Sequence, residues 1–92
     1  MRVQWAGNSW EEYQELIKTD KNSVRKINRL IEDIKLNGAE KGIGKPEALK
    51  HNYSGYYSRR IDRKNRLIYY VYNDGKSDVL VIFSCIGHYG DK

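Results

Sequence analysis

Tyr56 to Ile86 reads YYSRRIDRKNRLIYYVYNDGKSDVLVIFSCI, in which three β-type segments, Tyr56 to Asp62, Arg66 to Tyr72 and Val79 to Ile86, are separated by polar turns at Asp62 to Asn65 and Asn73 to Ser77. Branched and aromatic residues at strand spacing, broken by short Asn, Asp and Gly-containing turns, predict consecutive hairpins and therefore an antiparallel sheet. Immediately upstream, Gly42-Ile43-Gly44-Lys45-Pro46-Glu47 holds too much glycine and proline for a helix and reads as a loop. The proline biases Lys45 toward extended backbone, so Glu47 should emerge at a defined place as the chain enters a strand near Leu49.

Further out, helical periodicity takes over. Trp10, Tyr13, Leu16 and Ile17 mark one amphipathic helix, and Val24, Ile27, Leu30, Ile31 and Ile34 a second that Asn37 and Gly38 should stop. Ser9 followed by Glu12 has the spacing of a capping box. Thr19-Asp20 leaves room only for a tight helical hairpin, so both apolar stripes should face the surface that the strands supply. Met1, Val3 and Trp5 alternate with polar neighbours and predict a short first strand. The expectation is an α+β fold: an N-terminal strand, a helical hairpin and an antiparallel sheet whose other face is free for a partner.

Composition narrows the function. A chain of 92 residues buries only about 60–65% of its unfolded surface, which allows one domain over residues 1–92 with a modest core. Its 17 Lys and Arg against 12 Asp and Glu leave a net charge of +5, which suits a phosphate backbone. Cys85 is the only cysteine and lies in an apolar run, so an intrachain disulfide is excluded and a buried thiol in a reducing cytoplasm is expected. Val79 to Phe83, the longest strongly apolar run, is far too short to span a bilayer, so no membrane association is expected.

The chemistry-bearing residues are few. His51 and His88 stand apart with no carboxylate pair nearby, so neither a metal site nor any other cofactor is expected. Metal-free RNA cleavage needs a base for the 2′-hydroxyl proton, a cation for the phosphorane and an acid for the departing 5′-oxygen. Glu47 can serve as base, Arg66 as clamp and His88 as acid, with Tyr89 stacking on or orienting the nucleotide. Taken singly, each also has an ordinary reading: a surface carboxylate, an arginine covering apolar surface, a chain-end imidazole, a packing ring. Arg59 and Arg60 should lie on opposite faces of their strand, so at most one lines a given surface.

The segments Gly44-Lys45-Pro46-Glu47-Ala48-Leu49-Lys50, Ser54-Gly55, Ser58-Arg59-Arg60-Ile61, Asn65-Arg66-Leu67-Ile68-Tyr69 and His88-Tyr89 together resemble the YoeB toxins, within the larger RelE-like superfamily. Trp10, Tyr13, Thr19-Asp20-Lys21 and the helix around Lys26-Ile27-Asn28 follow the same order, so the resemblance spans nearly the whole chain. It implies a ribosome-dependent ribonuclease that enters the decoding site, cleaves messenger RNA and is held inactive by a cognate antitoxin. Carried over by position, it puts the base on Glu47, the phosphate-stabilising arginine on Arg66, the acid on His88 and the terminal aromatic on Tyr89. Lys50 and Arg60 match positions that neutralise RNA, and of the two adjacent arginines the resemblance favours Arg60.

Two other functions stay open at this level: a toxin of the same fold that blocks a protein target such as gyrase, and a non-catalytic RNA- or ribosome-binding module. A basic cleft beside a free sheet face also suits an acidic, partly disordered antitoxin segment and is compatible with a homodimer.

Overall fold

The computed structural model describes residues 1–87, so His88 and Tyr89 lie outside the described residues. The chain runs through strand β1 (Arg2–Trp5), helices α1 (Ser9–Thr19) and α2 (Lys21–Asn37), a two-residue strand β2 (Glu47–Ala48), a 3₁₀ turn at His51–Tyr53, and strands β3 (Tyr57–Arg60), β4 (Arg66–Asn73) and β5 (Asp78–Ser84). The α+β order matches the sequence reading. The five strands form one sheet in the order β1-β5-β4-β3-β2.

Strands β2 to β5 pair antiparallel, as their connecting turns require. The N-terminal strand joins them differently, because β1 runs parallel to β5, with Val3 opposite Leu80 and Trp5 opposite Ile82. The sheet is therefore mixed. Alternation specifies which face a strand buries but not its direction, and a parallel neighbour only needs the long crossover that the helices and later strands provide.

Helix α2 supplies the helical side of the core. Ile27, Leu30 and Ile34 are fully buried and meet Leu67, Tyr69, Leu80 and Ile82 from β4 and β5. Helix α1 is peripheral: Tyr13 and Leu16 pack against the core, while Trp10 and Ile17 are 45% and 42% exposed. Only part of its stripe therefore faces the common surface. On the opposite sheet face Ile68, Val79 and Val81 are also buried, and Tyr56 meets Tyr70 and Phe83 edge-on at 5.1 and 5.4 Å. That face therefore carries an aromatic layer of its own.

Asp20 ends one helix and starts the next. Its N–H donates to the Leu16 carbonyl at 2.7 Å while its carboxylate accepts from the Ser23 N–H at 3.1 Å and hydroxyl at 2.8 Å. The Ser9–Glu12 capping box does not form. The Ser9 hydroxyl donates to the Ile82 carbonyl at 2.9 Å, and Glu12 Oε1 accepts the Cys85 N–H at 2.8 Å. Because this helix start is packed on β5, tertiary partners displace the local ones. Cys85 itself is fully buried, and burial, with Glu12 adding to it, pushes its thiol up to about 12. It is an inert structural thiol.

The tie from Glu12 to β5 has a measurable consequence. Glu12→Ala leaves the Cys85 N–H without its acceptor and should cost about 1–3 kcal/mol in urea unfolding, whereas Glu12→Gln, which keeps an acceptor oxygen, should recover most of it. Equal losses in the two variants would contradict this account.

Candidate functional site

The loop from Gly38 to Pro46 delivers Glu47 to the sheet, and a buried arginine shapes it. Arg59 is fully buried on the helix side of β3. Its Nε donates to the Tyr69 hydroxyl at 2.8 Å, Nη1 to Asp33 at 2.6 Å and the Ile43 carbonyl at 3.0 Å, and Nη2 to the carbonyls of Gly38 at 2.8 Å and Lys41 at 2.7 Å. A guanidinium has five N–H donors, and all of them are matched. Tyr69 passes the bond on to the Ala39 carbonyl at 2.6 Å, and Asp33 also accepts the Ile43 N–H at 3.0 Å.

The glycines in this loop follow from that arrangement. A Cβ on Gly42 would collide with the Asp33 carboxylate, and one on Gly44 would come within 2.7 Å of Leu30 Cδ2. The Gly44 carbonyl accepts the Arg60 N–H at 2.7 Å, after which the chain must turn sharply to enter β2. Lys45 therefore takes a positive φ of 56° rather than the extended conformation expected before proline. Tertiary bonds on both sides of Lys45 override its local preference.

Glu47 then pairs with Ser58, and Arg60 pairs with Arg66 across β3 and β4. The alternation of these strands puts Glu47, Arg60 and Arg66 on one sheet face and Arg59 on the other. Arg66 Nη1 lies 3.8 Å from Glu47 Oε1, with side-chain exposures of 14% and 56% respectively. Arg66 Nε is buried with no hydrogen-bond partner among the described residues. Beside Arg66 opens a cavity of about 460 Å³ lined by Lys26, Arg60, Ile61, Asp62, Arg63 and Arg66. Four cations and one carboxylate make it electropositive. Lys50 is exposed where the chain enters the 3₁₀ turn.

Of the residues singled out from the sequence, Glu47, Arg60 and Arg66 come together, Lys50 lies just beyond Glu47 along the chain, and His88 and Tyr89 fall outside the described residues. The sequence reading did not single out Arg59, Asp33 and Tyr69 as the support beneath Glu47, nor Arg63 as part of the cleft. The position of Lys26 on a basic helix face and of Arg63 in a polar turn were the only available signals. Among the described residues no cluster of three or more His, Cys, Asp or Glu could hold a metal ion, and no helix is long and apolar enough to cross a membrane.

A helical hairpin on one face of a mixed sheet, with a carboxylate and arginines gathered on the other, has the architecture of the RelE-like toxins. A model of the family described as "YoeB-like toxin of bacterial type II toxin-antitoxin system" matches residues 5–89. The toxin YoeB of Escherichia coli K12 is 46% identical over 89 residues, which cover 97% of this chain and 100% of that protein. A solved YoeB/ParE toxin from Agrobacterium tumefaciens superposes with a TM-score of 0.89 at 39% identity, covering 97% of this chain and 100% of the other. A Staphylococcus aureus chain from a heterotetrameric YoeB–YefM toxin–antitoxin complex does so at 0.85 and 44%, covering 97% and 98%. The chain belongs to the YoeB-like toxins of bacterial type II toxin–antitoxin systems.

The loop support predicts a large stability effect. Asp33→Ala strands a buried guanidinium and should lower unfolding free energy by about 3–5 kcal/mol, measured by urea denaturation. The hydrogen bond from Arg59, opposed by burial and aided by Ile43 and Asn37, holds Asp33 below the ordinary 3.8. A carboxyl whose folded pKa is depressed stabilises fully above its unfolded value and loses that contribution as pH falls through the folded one. The wild type should therefore lose stability below about pH 4 more steeply than the Ala variant; parallel acid limbs would contradict this.

Proposed function

We propose that this chain is a ribosome-dependent messenger RNA endoribonuclease that works without a metal and is silenced by a cognate antitoxin. Glu47 takes the proton from a ribose 2′-hydroxyl, and the 2′-oxygen attacks the adjacent phosphorus. The phosphorus–5′-oxygen bond breaks, His88 supplies the proton that the departing oxygen needs, and the products are a 2′,3′-cyclic phosphate and a 5′-hydroxyl. Arg66 carries the charge of the phosphorane, Tyr89 stacks on or orients the nucleotide, and Lys50 and Arg60 neutralise the flanking backbone. RNA brings its own nucleophile, so a deoxyribose at the cleaved position should resist cleavage.

The observation that carries this reading is the loose contact between Glu47 and Arg66. At 3.8 Å it is a single long approach rather than a two-bond pair. A phosphate entering between them gives Arg66 a better partner and leaves a carboxylate oxygen of Glu47 free to accept a proton. The mostly buried Arg66 pre-organises the charge, while the half-exposed Glu47 can reach the ribose. Isolated Glu47 and Arg66 lack the geometry that a positioned messenger adds, which is why the ribosome is part of the proposal.

The partner follows by the same chemistry. The Staphylococcus aureus relative is solved with the antitoxin YefM, and another Staphylococcus aureus relative is solved as a dimer. We extend to this chain an antitoxin whose acidic segment would cover the cleft of Lys26, Arg60, Arg63 and Arg66, and self-association as a second mode of assembly.

A reconstituted translation assay with mapped message ends tests the proposal. The wild type should create new 5′ ends, while Glu47→Ala and Arg66→Ala should each cut their rate by about 10²–10⁴-fold and remain folded by circular dichroism. Stalled translation with intact messages would replace cleavage by binding, and loss of DNA supercoiling with intact messages would point to a gyrase-type target.

A further inference from the structure

On the sheet face that carries Glu47, Arg60 and Arg66, the pairing registers set side chains in rows. Arg60 stands opposite Arg66 in one row, and Glu47, Ser58 and Ile68 form the next. The row beyond holds Tyr70 opposite Val81, with Tyr56 edge-on to Tyr70 at 5.1 Å. In the last row Tyr72 pairs with Val79, and Val79 with Arg2. Rows on one face are two residues apart, or about 7 Å, so the aromatic layer begins one row from Glu47. It runs on from there, since the rings of Tyr70 and Tyr72 lie 6.3 Å apart, tilted by 45°.

The tyrosine hydroxyls on the two sides of the sheet differ. On the helix side the Tyr13 hydroxyl donates to Asn28 at 2.7 Å, that of Tyr57 to Glu40 at 3.0 Å and that of Tyr69 to the Ala39 carbonyl at 2.6 Å. On the other side no hydrogen bond among the described residues engages the hydroxyl of Tyr56 or Tyr70, and that of Tyr72 reaches Gln4 only at 3.5 Å. Tyr72 is 42% exposed, and Tyr56 and Tyr70 are partly exposed. Any large apolar side chain would cover Val79 and Val81. A tyrosine adds a polar tip that keeps an exposed ring wetted while it is vacant.

We propose that Tyr70 and Tyr72, with Tyr56 at the near end, form a stacking platform for message bases that flank the cleaved link; this rests on the ribonuclease reading above, which seats a phosphate between Glu47 and Arg66. Single-stranded RNA is commonly held on an open sheet whose aromatic side chains stack successive bases. A stacked strand advances about 3.4 Å per nucleotide, so a base about two positions from the seated phosphate reaches the row of Tyr70. Arg2 closes the far end: its side chain is 60% exposed and gives Asp74 one nitrogen at 3.2 Å, leaving donors for a backbone phosphate. Cations at both ends with rings between them match a chain of phosphates and bases. A protein segment has no such alternation. Stacking tolerates any base, so the platform tightens the hold on the message without choosing its sequence.

The test uses the full-length protein and short single-stranded 2′-O-methyl RNA, which has no free 2′-hydroxyl to attack, carrying 2-aminopurine at one position at a time. The probe should be quenched over a run of adjacent positions, where it stacks. Tyr70→Ala and Tyr72→Ala should each weaken binding about 5–150-fold, the usual worth of one base on one ring, and lift the quenching. Tyr70→Phe and Tyr72→Phe should bind like the wild type. Tyr70→Leu and Tyr72→Leu, which keep apolar cover but have no π-face, should bind like the Ala variants while remaining folded by circular dichroism. These losses should change little with salt, whereas Arg66→Ala should reduce the salt slope by about one. Leucine variants that bind and quench as the wild type does, a probe unquenched at every position, or no RNA binding at all would each overturn the platform. Tyrosine variants that keep RNA binding but lose self-association or antitoxin binding would also overturn it, by assigning the layer to a protein partner. Stacking as described, with ordinary message left uncut on the ribosome, would remove the ribonuclease reading and keep the layer as an RNA-binding surface.

Discussion

The Arg59 guanidinium sits where water cannot reach it, so each of its five donors must find a protein acceptor, and the fold is arranged to provide them. Asp33 comes from α2, Tyr69 from β4, and the three carbonyls of Gly38, Lys41 and Ile43 from the loop between α2 and β2. A buried ion pair adds little net stability over an apolar replacement, but losing one partner is severe. Its value here is geometric. A loop without regular structure acquires one path, and that path ends on Glu47. The glycines at 42 and 44 and the positive φ of Lys45 are consequences of wrapping backbone this closely around a planar cation.

Strand β5 plays the corresponding part for the rest of the molecule. It receives β1 in parallel on one side and β4 antiparallel on the other, and α1 is tied to it through Ser9 at Ile82 and Glu12 at Cys85. The apolar run that marks β5 in the sequence is what a strand with neighbours on both edges and packing on both faces needs. Fixing β5 fixes the register of β4, whose first residue is Arg66. The two halves of the candidate site therefore come from separate supports: Glu47 from the Arg59-bound loop, and Arg66 from the central strands.

What the sequence disclosed and what it hid divide along the range of the interactions concerned. Helix α2, its stop at Gly38, the three hairpin strands and the buried Cys85 follow from local periodicity and turn chemistry, and all are legible in the amino-acid order alone. The direction of β1, the failed capping box and the backbone of Lys45 are not, because in each case a distant partner outweighs the local preference. Alternation separates Arg59 from Arg60 correctly, but nothing near Arg59 in the sequence announces a buried cation whose acceptors come from a helix and a loop elsewhere in the chain. The approach of Glu47 to Arg66 is legible only through family resemblance, since their spacing along the chain has no period that would bring them together.

The inward and outward arginines differ in what they have left to offer. Arg59 has every donor matched by protein, so it has no hydrogen bond to spare for a ligand and can only hold structure. Arg66, 14% exposed, has among the described residues a long contact to a half-exposed carboxylate and a buried Nε with no partner. A largely desolvated cation left under-satisfied is destabilising unless something anionic completes it. A phosphate oxygen is the acceptor that chemistry would supply, and a phosphorane, with more charge than the ground state, would be held more tightly still. On the ribonuclease reading proposed above, the incompleteness that counts against Arg66 as a stabiliser would suit it to lower a barrier.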